Sequence, residues 1–414
     1  MSDVFAWFLG VDQGEMTHRF CLVAPGGRVR LEQTVTHTVA AVSEAVEQLL
    51  QASGAEPDAI AVGLEAPHGA LVDTFLARGF GVFAINPKQA DRFRDRFTPS
   101  GAKDDSRDAQ VLGTALATDL PAFRRVRPEH PLIVQIRQWS RMREELGEEL
   151  RLLANRIRQE VYRVAPTLLT LSPAADEAWF WALLTAAPTP TTQRRIGRGR
   201  IATLLRRHRI RRWTVDDVHQ ALQARPFPLG AGVEEAAGAH LRLLVARVQL
   251  VHQQHGDCER QLRGLIEQWA AETPSDQREH HDVAILQSFP GVGTLVTAVM
   301  LAEAAGPLAS RDYATLRAEA GVAPVTKQSG KRRLVTIRRA CNKRLRNALF
   351  HWAKSSLRDP GCRSYYDALR RAGHEHPRAL RSLGDRLLRI LMGALRTGSL
   401  YDPSRYLSAV PAAA

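Results

Sequence analysis

The order of apolar runs in residues 5–86 leaves few folds open. Residues 5–12 and 17–24 read as a β-hairpin around Gln13-Gly14-Glu15, and Gly26-Gly27 makes the turn into a third strand, Val29 to Val35. Val39 to Ala52 then changes to helical periodicity, with Val42, Val46, Leu49 and Leu50 on one face. From there strand and helix alternate: strand Ala59–Glu65, helix Gly69–Arg78, strand Gly81–Asn86. Pro87 closes that strand, a helix through Gln89–Phe97 follows, and Asp105–Ala117 is a further helix.

Three strands followed by helix–strand alternation match the ribonuclease H-like α/β layout. The same runs end in acids. Asp12 ends Phe8-Leu9-Gly10-Val11, and Glu65 ends the run from Ala59 to Leu64. Asp105 and Asp108 sit in Ala102-Lys103-Asp104-Asp105-Ser106-Arg107-Asp108-Ala109, at the i, i+3 spacing that places two side chains on one helical face. Acids at strand ends plus such a pair can converge into a cage of hard oxygen ligands, which suits Mg²⁺ and phosphate oxygens. Two divalent ions about 4 Å apart can activate an attacking oxygen and stabilise a leaving one. Asp12 would then bridge the ions, Glu65 would close the site from the next strand, and Lys103 would reach the phosphate. Taken singly, each acid reads equally as a surface charge or a helix cap, Asp104 above all. The set resists that reading because two of its members directly end apolar strands.

What phosphate would such a site act on? The 414 residues carry a formal charge of +14, and arginines cluster at Arg194–Arg200, at Arg206–Arg212 and from Lys327 through Arg346. One basic cluster is ordinarily a solvated face, but several arginine-dominated ones are the electrostatic footprint of a nucleic-acid binder. Cys21, Cys258, Cys341 and Cys362 make neither a CxxC pair nor a zinc spacing, so they are expected to be reduced, cytosolic thiols. No apolar run reaches the roughly 20 residues that span a bilayer, and no signal-peptide pattern opens the chain. A soluble, cytoplasmic, nucleoid-associated protein with no membrane partner is expected.

The length suggests more than one domain. Residues 1–125 hold the α/β pattern, 126–275 a helical, coiled-coil-like region with an arginine-rich insert, and 276–405 a compact, mainly helical unit. Val134–Arg163 places Ile136, Trp139, Met142, Leu146, Leu150, Leu153 and Ile157 at near-heptad spacing, and Ala236–Trp269 repeats the pattern. Both helices are candidates for dimer contacts. Trp179, Trp181 and Trp213 in the insert are read as core rather than as base-stacking platforms. Further on, Phe289-Pro290-Gly291-Val292-Gly293-Thr294 resembles a helix-hairpin-helix turn, whose Gly291 and Gly293 would offer backbone N–H groups to a DNA phosphate. Its plain alternative is an inter-helix turn. Ser329 stands beside glycine in Lys327-Gln328-Ser329-Gly330-Lys331-Arg332-Arg333. Basic neighbours there could hold a phosphate for a serine nucleophile. Judged alone, Ser329 reads as a loop residue, since no Ser-His-Asp pattern supports it.

The ordered combination of these motifs resembles the DEDD transposases of bacterial insertion sequences, the group guided by a bridge RNA. The resemblance runs through Gly10-Val11-Asp12, the Glu65 strand, Asn86-Pro87, Lys103 to Ala109, Phe289 to Gly293, Ala320-Gly321-Val322-Ala323-Pro324, Gln328 to Lys331 and Asn342 to Leu349. It implies a RuvC-like N-terminal domain and a C-terminal transposase domain. It implies that Asp12, Glu65, Asp105 and Asp108 bind two Mg²⁺ and that Ser329 forms a phosphoserine link to DNA. The i, i+3 spacing to Asp108 favours Asp105 over Asp104. Donor DNA, target DNA and guide RNA are the implied partners, in a homodimer or homotetramer whose two domains meet between subunits. Lys327, Lys331, Arg332, Arg333, Arg338, Arg339, Lys343 and Arg344 are candidate nucleic-acid contacts, together with Lys103. Three rivals use parts of the same pattern. A RuvC-like hydrolytic nuclease or junction resolvase would dispense with Ser329, and a nonenzymatic nucleic-acid binder would tolerate Asp12→Asn. A sugar-kinase or actin-like ATPase would use Gly10-Val11-Asp12-Gln13-Gly14 but lacks its second phosphate-binding glycine turn.

Overall fold

A computed structural model describes residues 4–94, 105–126, 128–272, 281–329 and 332–406. The chain divides into two compact units, Met1–Glu129 and His130–Ala414.

The first unit is built on strands β1 (Trp7–Gln13), β2 (Thr17–Val23), β3 (Val29–Thr36), β4 (Ile60–Leu64), β5 (Gly81–Ala84) and β6 (Arg124–Arg125). Among the described residues they form one mixed sheet in the order β3-β2-β1-β4-β5-β6. β1, β2 and β3 pair antiparallel as the sequence predicts, while β1, β4 and β5 run parallel. Helix α1 (Val39–Ser53) starts because the Thr38 hydroxyl accepts a hydrogen bond from the Ala41 N–H, and it stops at Gly54, which takes φ +60°. Its Val42, Val46 and Leu49 pack with Leu9 and Val11 of β1, and with Val72 and Phe75 of α2 (Ala70–Ala77), on one face of the sheet. The other face carries α3 (Pro87–Arg94) and α4 (Asp105–Asp119), whose Ala90, Leu112 and Leu116 pack with Phe8, Ala61 and Phe83. Strands buried on both faces explain why β4 and β5 read as continuous apolar runs.

The second unit is largely helical. Helix α5 (Pro131–Val164) is followed by α6 (Ala178–Ala186), α7 (Pro190–Arg195), α8 (Arg198–Arg207), α9 (Val215–Gln223) and α10 (Val233–Glu272). α5 and α10 pack antiparallel, with Arg143 paired to Glu259, Arg247 to Glu149 and His240 to Glu160. The apolar faces that the sequence offers for dimer contacts therefore lie largely against each other inside one chain. Trp179 and Trp181 are buried among the insert helices, and the Trp181 and Trp213 indoles donate to the carbonyls of Ala175 (2.7 Å) and Leu171 (3.1 Å), which fits the core reading.

Next come α11 (Asp282–Gln287), α12 (Thr294–Glu303), α13 (Ala305–Ala309) and α14 (Tyr313–Glu319). A hairpin of β7 (Val325–Ser329) and β8 (Arg332–Thr336) follows, which helical periodicity does not announce. Helices α15 (Lys343–Ser355), α16 (Pro360–Arg371), α17 (His376–Thr397) and α18 (Pro403–Tyr406) complete the chain's described elements. Trp352 anchors this part: it is fully buried, and its indole donates to the Pro290 carbonyl at 3.1 Å. Residues of α5, α10 and α12 share a core through Ile136, Ile266 and Leu301.

Candidate active site

Strand register brings the first two acids together. β1 and β4 pair in parallel up to Val11 opposite Leu64, and the next residues are Asp12 and Glu65. Neighbouring strands lie roughly 4.8 Å apart, so the two acids leave the sheet side by side. Side chains alternate along a strand, which sorts their faces. Phe8 and Ala61 lie on the α4 side, packed with Leu112 and Leu116. Asp12 and Glu65, four residues on from each, therefore take that side as well.

Two glycines bring α4 to the acids. A Cβ on Gly10 would lie 1.8 Å from the Ala109 carbonyl oxygen and 2.4 Å from the Gly113 nitrogen, and a Cβ on Gly113 would lie 3.1 Å from the Gly10 nitrogen. Helix backbone thus rests directly on strand backbone. Asp108, immediately before Ala109, is placed beside the strand ends and is only 6% exposed. Asp105 is the first residue of α4, three positions before Asp108, and is described by its backbone alone. Lys103 and Asp104 lie outside the described residues. Sequence reasoning missed two supports. Arg94 donates from Nε to Asp108 Oδ1 at 2.7 Å and from Nη1 to Asp91 Oδ1 at 2.8 Å. The Gln13 side-chain oxygen accepts from the Ala66 N–H at 3.2 Å, tying the ends of β1 and β4. The only sequence signal for the first was an arginine on the helix preceding the acid pair.

The electrostatics agree with this convergence. Partial burial pushes the Glu65 carboxyl above its usual range, the charge of Asp12 pushes it further, Arg94 opposes the rise, and Asp108 and Asp91 add to it. Among the described residues, no group of three or more His, Cys, Asp or Glu is drawn together as a finished metal cage. The donor chemistry nonetheless fits a hard cation. The carboxylates repel one another, and Arg94 supplies the positive charge at Asp108.

In the second unit, Ser329 is the last residue of β7 and pairs across the hairpin with Arg332, so it is strand-terminal rather than in a loop. It is exposed. Gly330 and Lys331 lie outside the described residues; Lys327, Arg332 and Arg333 are described by their backbone, in the two strands. Arg338 donates from Nε to the Ala323 carbonyl at 3.3 Å, and Arg339 and Lys343 are exposed. Arg344 forms an ion pair with Glu144 of α5, an internal role. Gly293 caps the start of α12. Gly291 has φ +80°, and a Cβ there would lie 2.5 Å from the Ser356 nitrogen, so this glycine serves the seating of its turn against the end of α15.

Paired acids at the ends of parallel strands, on a mixed sheet followed by a largely helical unit, are consistent with a ribonuclease H-like DEDD domain. Comparison with known proteins narrows the class. A DEDD profile of the IS110 type, described as "Transposase", matches residues 9–166, and one described as "Transposase IS116/IS110/IS902 family" matches residues 283–367. The chain is 30% identical over 417 residues to the mini-circle putative transposase for IS117 of Streptomyces coelicolor, covering 98% of this chain and 97% of that one. It is 44% identical over 214 residues to the putative transposase y4uE of Sinorhizobium fredii, a match to 51% of this chain and 60% of that relative. An uncharacterized protein of insertion element IS110 from Streptomyces coelicolor is 28% identical over 406 residues, 95% of each chain. The chain belongs to the IS110/IS116 family of transposases. Among its described residues, no helix is long and apolar enough to cross a membrane.

Proposed function

We propose that this protein cuts and rejoins DNA strands as an insertion-sequence transposase, with a structured RNA choosing the sites by base pairing. The observation that carries the reading is the convergence of Asp12, Glu65 and Asp108 on one face of the sheet, in a chain of this family. Asp12, Glu65, Asp105 and Asp108 would hold Mg²⁺, which supplies Lewis-acid charge to phosphate oxygens. Ser329 Oγ attacks the scissile phosphorus, its proton leaves to solvent, and the bond to the 3′ oxygen breaks. That oxygen departs as a 3′-hydroxyl, and the DNA is held as a phosphoserine ester. A 3′-hydroxyl of the partner strand then attacks the same phosphorus and releases the serine, so each bond broken is replaced and no external energy is used. The arginine-rich surface grips backbone and shape while base pairing reads sequence, a division of labour that other RNA-guided proteins use. Assembly as a homodimer or homotetramer is part of the same proposal.

The test is strand exchange between end-labelled donor and target DNA, with Mg²⁺ and the RNA from the element's flank. Recombinant products that disappear with Asp12→Asn and without the RNA support the reading. Cleavage that persists undiminished in Ser329→Ala, with no joined product, supports a hydrolytic nuclease instead.

A further inference from the structure

Within the second unit, the base of the β7–β8 hairpin opens into a cavity of about 530 Å³, within the size range of small-ligand sites. Arg338, from the segment after β8, forms part of its wall, and Arg378 and Arg381 of α17 form another part. The last two are spaced i, i+3 and so share a helix face. The wall's carboxylate is already committed: Asp385 accepts from Arg317 at 3.1 and 2.6 Å and from the Tyr313 hydroxyl at 2.7 Å. Among the described residues, neither Arg378 nor Arg381 has a carboxylate partner.

The charge there is unfavourable for the protein alone. Arg378 is the third residue of α17, where the helix dipole already concentrates positive charge. Burial holds the Arg381 guanidinium below its usual range, and the charges of Arg378 and Arg346 add to the effect. With the wall's carboxylate, Asp385, held by Arg317, the guanidinium charges of Arg338, Arg378 and Arg381 are best satisfied by an anion from outside. Apolar surface completes the cavity: Pro324, Val335 and Ile337 line it, and the last two are 56% and 45% exposed. A ligand that satisfies both parts carries an anionic group and a flat or apolar body together. A nucleotide has that composition.

We propose that this cavity seats one nucleotide of a DNA strand, with its phosphate on Arg338, Arg378 and Arg381 and its sugar and base against Pro324, Val335 and Ile337. The choice of DNA rests on the proposed function. The described hairpin runs from the Ser329–Arg332 pair to the Val325–Thr336 pair at the cavity, four residues or roughly 13 Å along the strand. A DNA strand engaged at Ser329 reaches the cavity within a few nucleotides. The site holds the strand and is separate from the attacking group.

The test measures binding by fluorescence anisotropy, using the full chain and a labelled single-stranded DNA, with RNA of the same sequence as a second probe. The variant is Arg378→Ala with Arg381→Ala. A control removes the same charge from exposed positions outside the cavity, Arg358→Ala with Arg371→Ala. The cavity variant is expected to lose about tenfold in DNA affinity, and its salt dependence should fall by about 0.7 in log–log slope for one lost phosphate contact. The control should lose less than about threefold. The thermal midpoint of the cavity variant should hold or rise, because repulsion is relieved. A fall in the midpoint would mark the arginines as structural. Equal losses in the two variants, or a loss confined to RNA, would overturn the assignment while leaving the transposase reading intact. Failure of the unmodified chain to bind DNA would overturn both.

Discussion

The contact between Gly10 and α4 sets the geometry of the acids, and Gly10→Ala tests it. The new Cβ would stand 1.8 Å from the Ala109 carbonyl oxygen, against about 3.4 Å for ordinary contact, so helix and strand must part by about 1.6 Å. Both obstacles, the Ala109 carbonyl and the Gly113 nitrogen, are backbone, so no rotamer change relieves the overlap. Overpacking a well-packed core costs about 1–3 kcal/mol, and two backbone obstacles place this substitution near about 3 kcal/mol. Misplacing reacting groups by about 1 Å can cost about 100-fold in rate, so strand cleavage should fall at least about 100-fold. The assays are urea denaturation and the cleavage rate. Gly26→Ala, with nothing within 4 Å of its added Cβ, is the control and should leave both unchanged. A Gly10→Ala protein of unchanged stability and rate would refute the claim that direct backbone contact positions Asp108.

Three further outcomes follow from the packing. Arg94→Ala leaves the buried Asp108 carboxylate without its ion-pair partner and should cost about 2 kcal/mol by denaturant titration, the lower side of such deletions because Arg94 is partly exposed. Gly291→Ala combines a φ of +80° with a Cβ 2.5 Å from the Ser356 nitrogen; a loss of about 3 kcal/mol is expected, and a neutral result would show that the turn is not seated on α15. Burial and the neighbouring His37 hold His18 below its ordinary 6.5, and the two rings share one hydrogen bond of 2.7 Å. A depressed folded pKa means that the neutral form is favoured by folding. Stability is therefore full above the unfolded value and is lost as pH falls from there through the lower folded value. Denaturation midpoints should fall as pH is lowered from the ordinary 6.5 through the depressed folded value, and His18→Gln should flatten that drop whatever its own stability.

Much of the first unit was legible because its signals are local. Alternation, turn glycines and acids ending apolar runs give β1 through β5, and helical spacing gives α1, α2 and α4. The features that resisted reading depend on pairs distant in sequence or on segments without apolar periodicity. β6 is two arginines, Arg124 and Arg125, held as an edge strand against β5. The β7–β8 hairpin lies in a basic stretch whose alternation is too polar to read as a strand. Gly10 and Gly113 each look like an ordinary glycine until the helix is laid on the strand. Arg94 and Asp108 are joined across a segment that composition cannot fold in advance. At the site, residue types and strand ends were readable, whereas the internal engagement of Arg344 with Glu144 was not.

The central claim is that Ser329 carries the DNA through a covalent intermediate. The direct measurement is mass spectrometry of protein quenched in SDS during reaction with Mg²⁺, RNA and DNA, then digested with nuclease and protease. The account predicts a nucleotide-phosphate adduct on the peptide containing Ser329, absent from Ser329→Ala and from Asp12→Asn. Cleaved and rejoined DNA with an unmodified Ser329 peptide at every time point, or an adduct on a different residue, would contradict it.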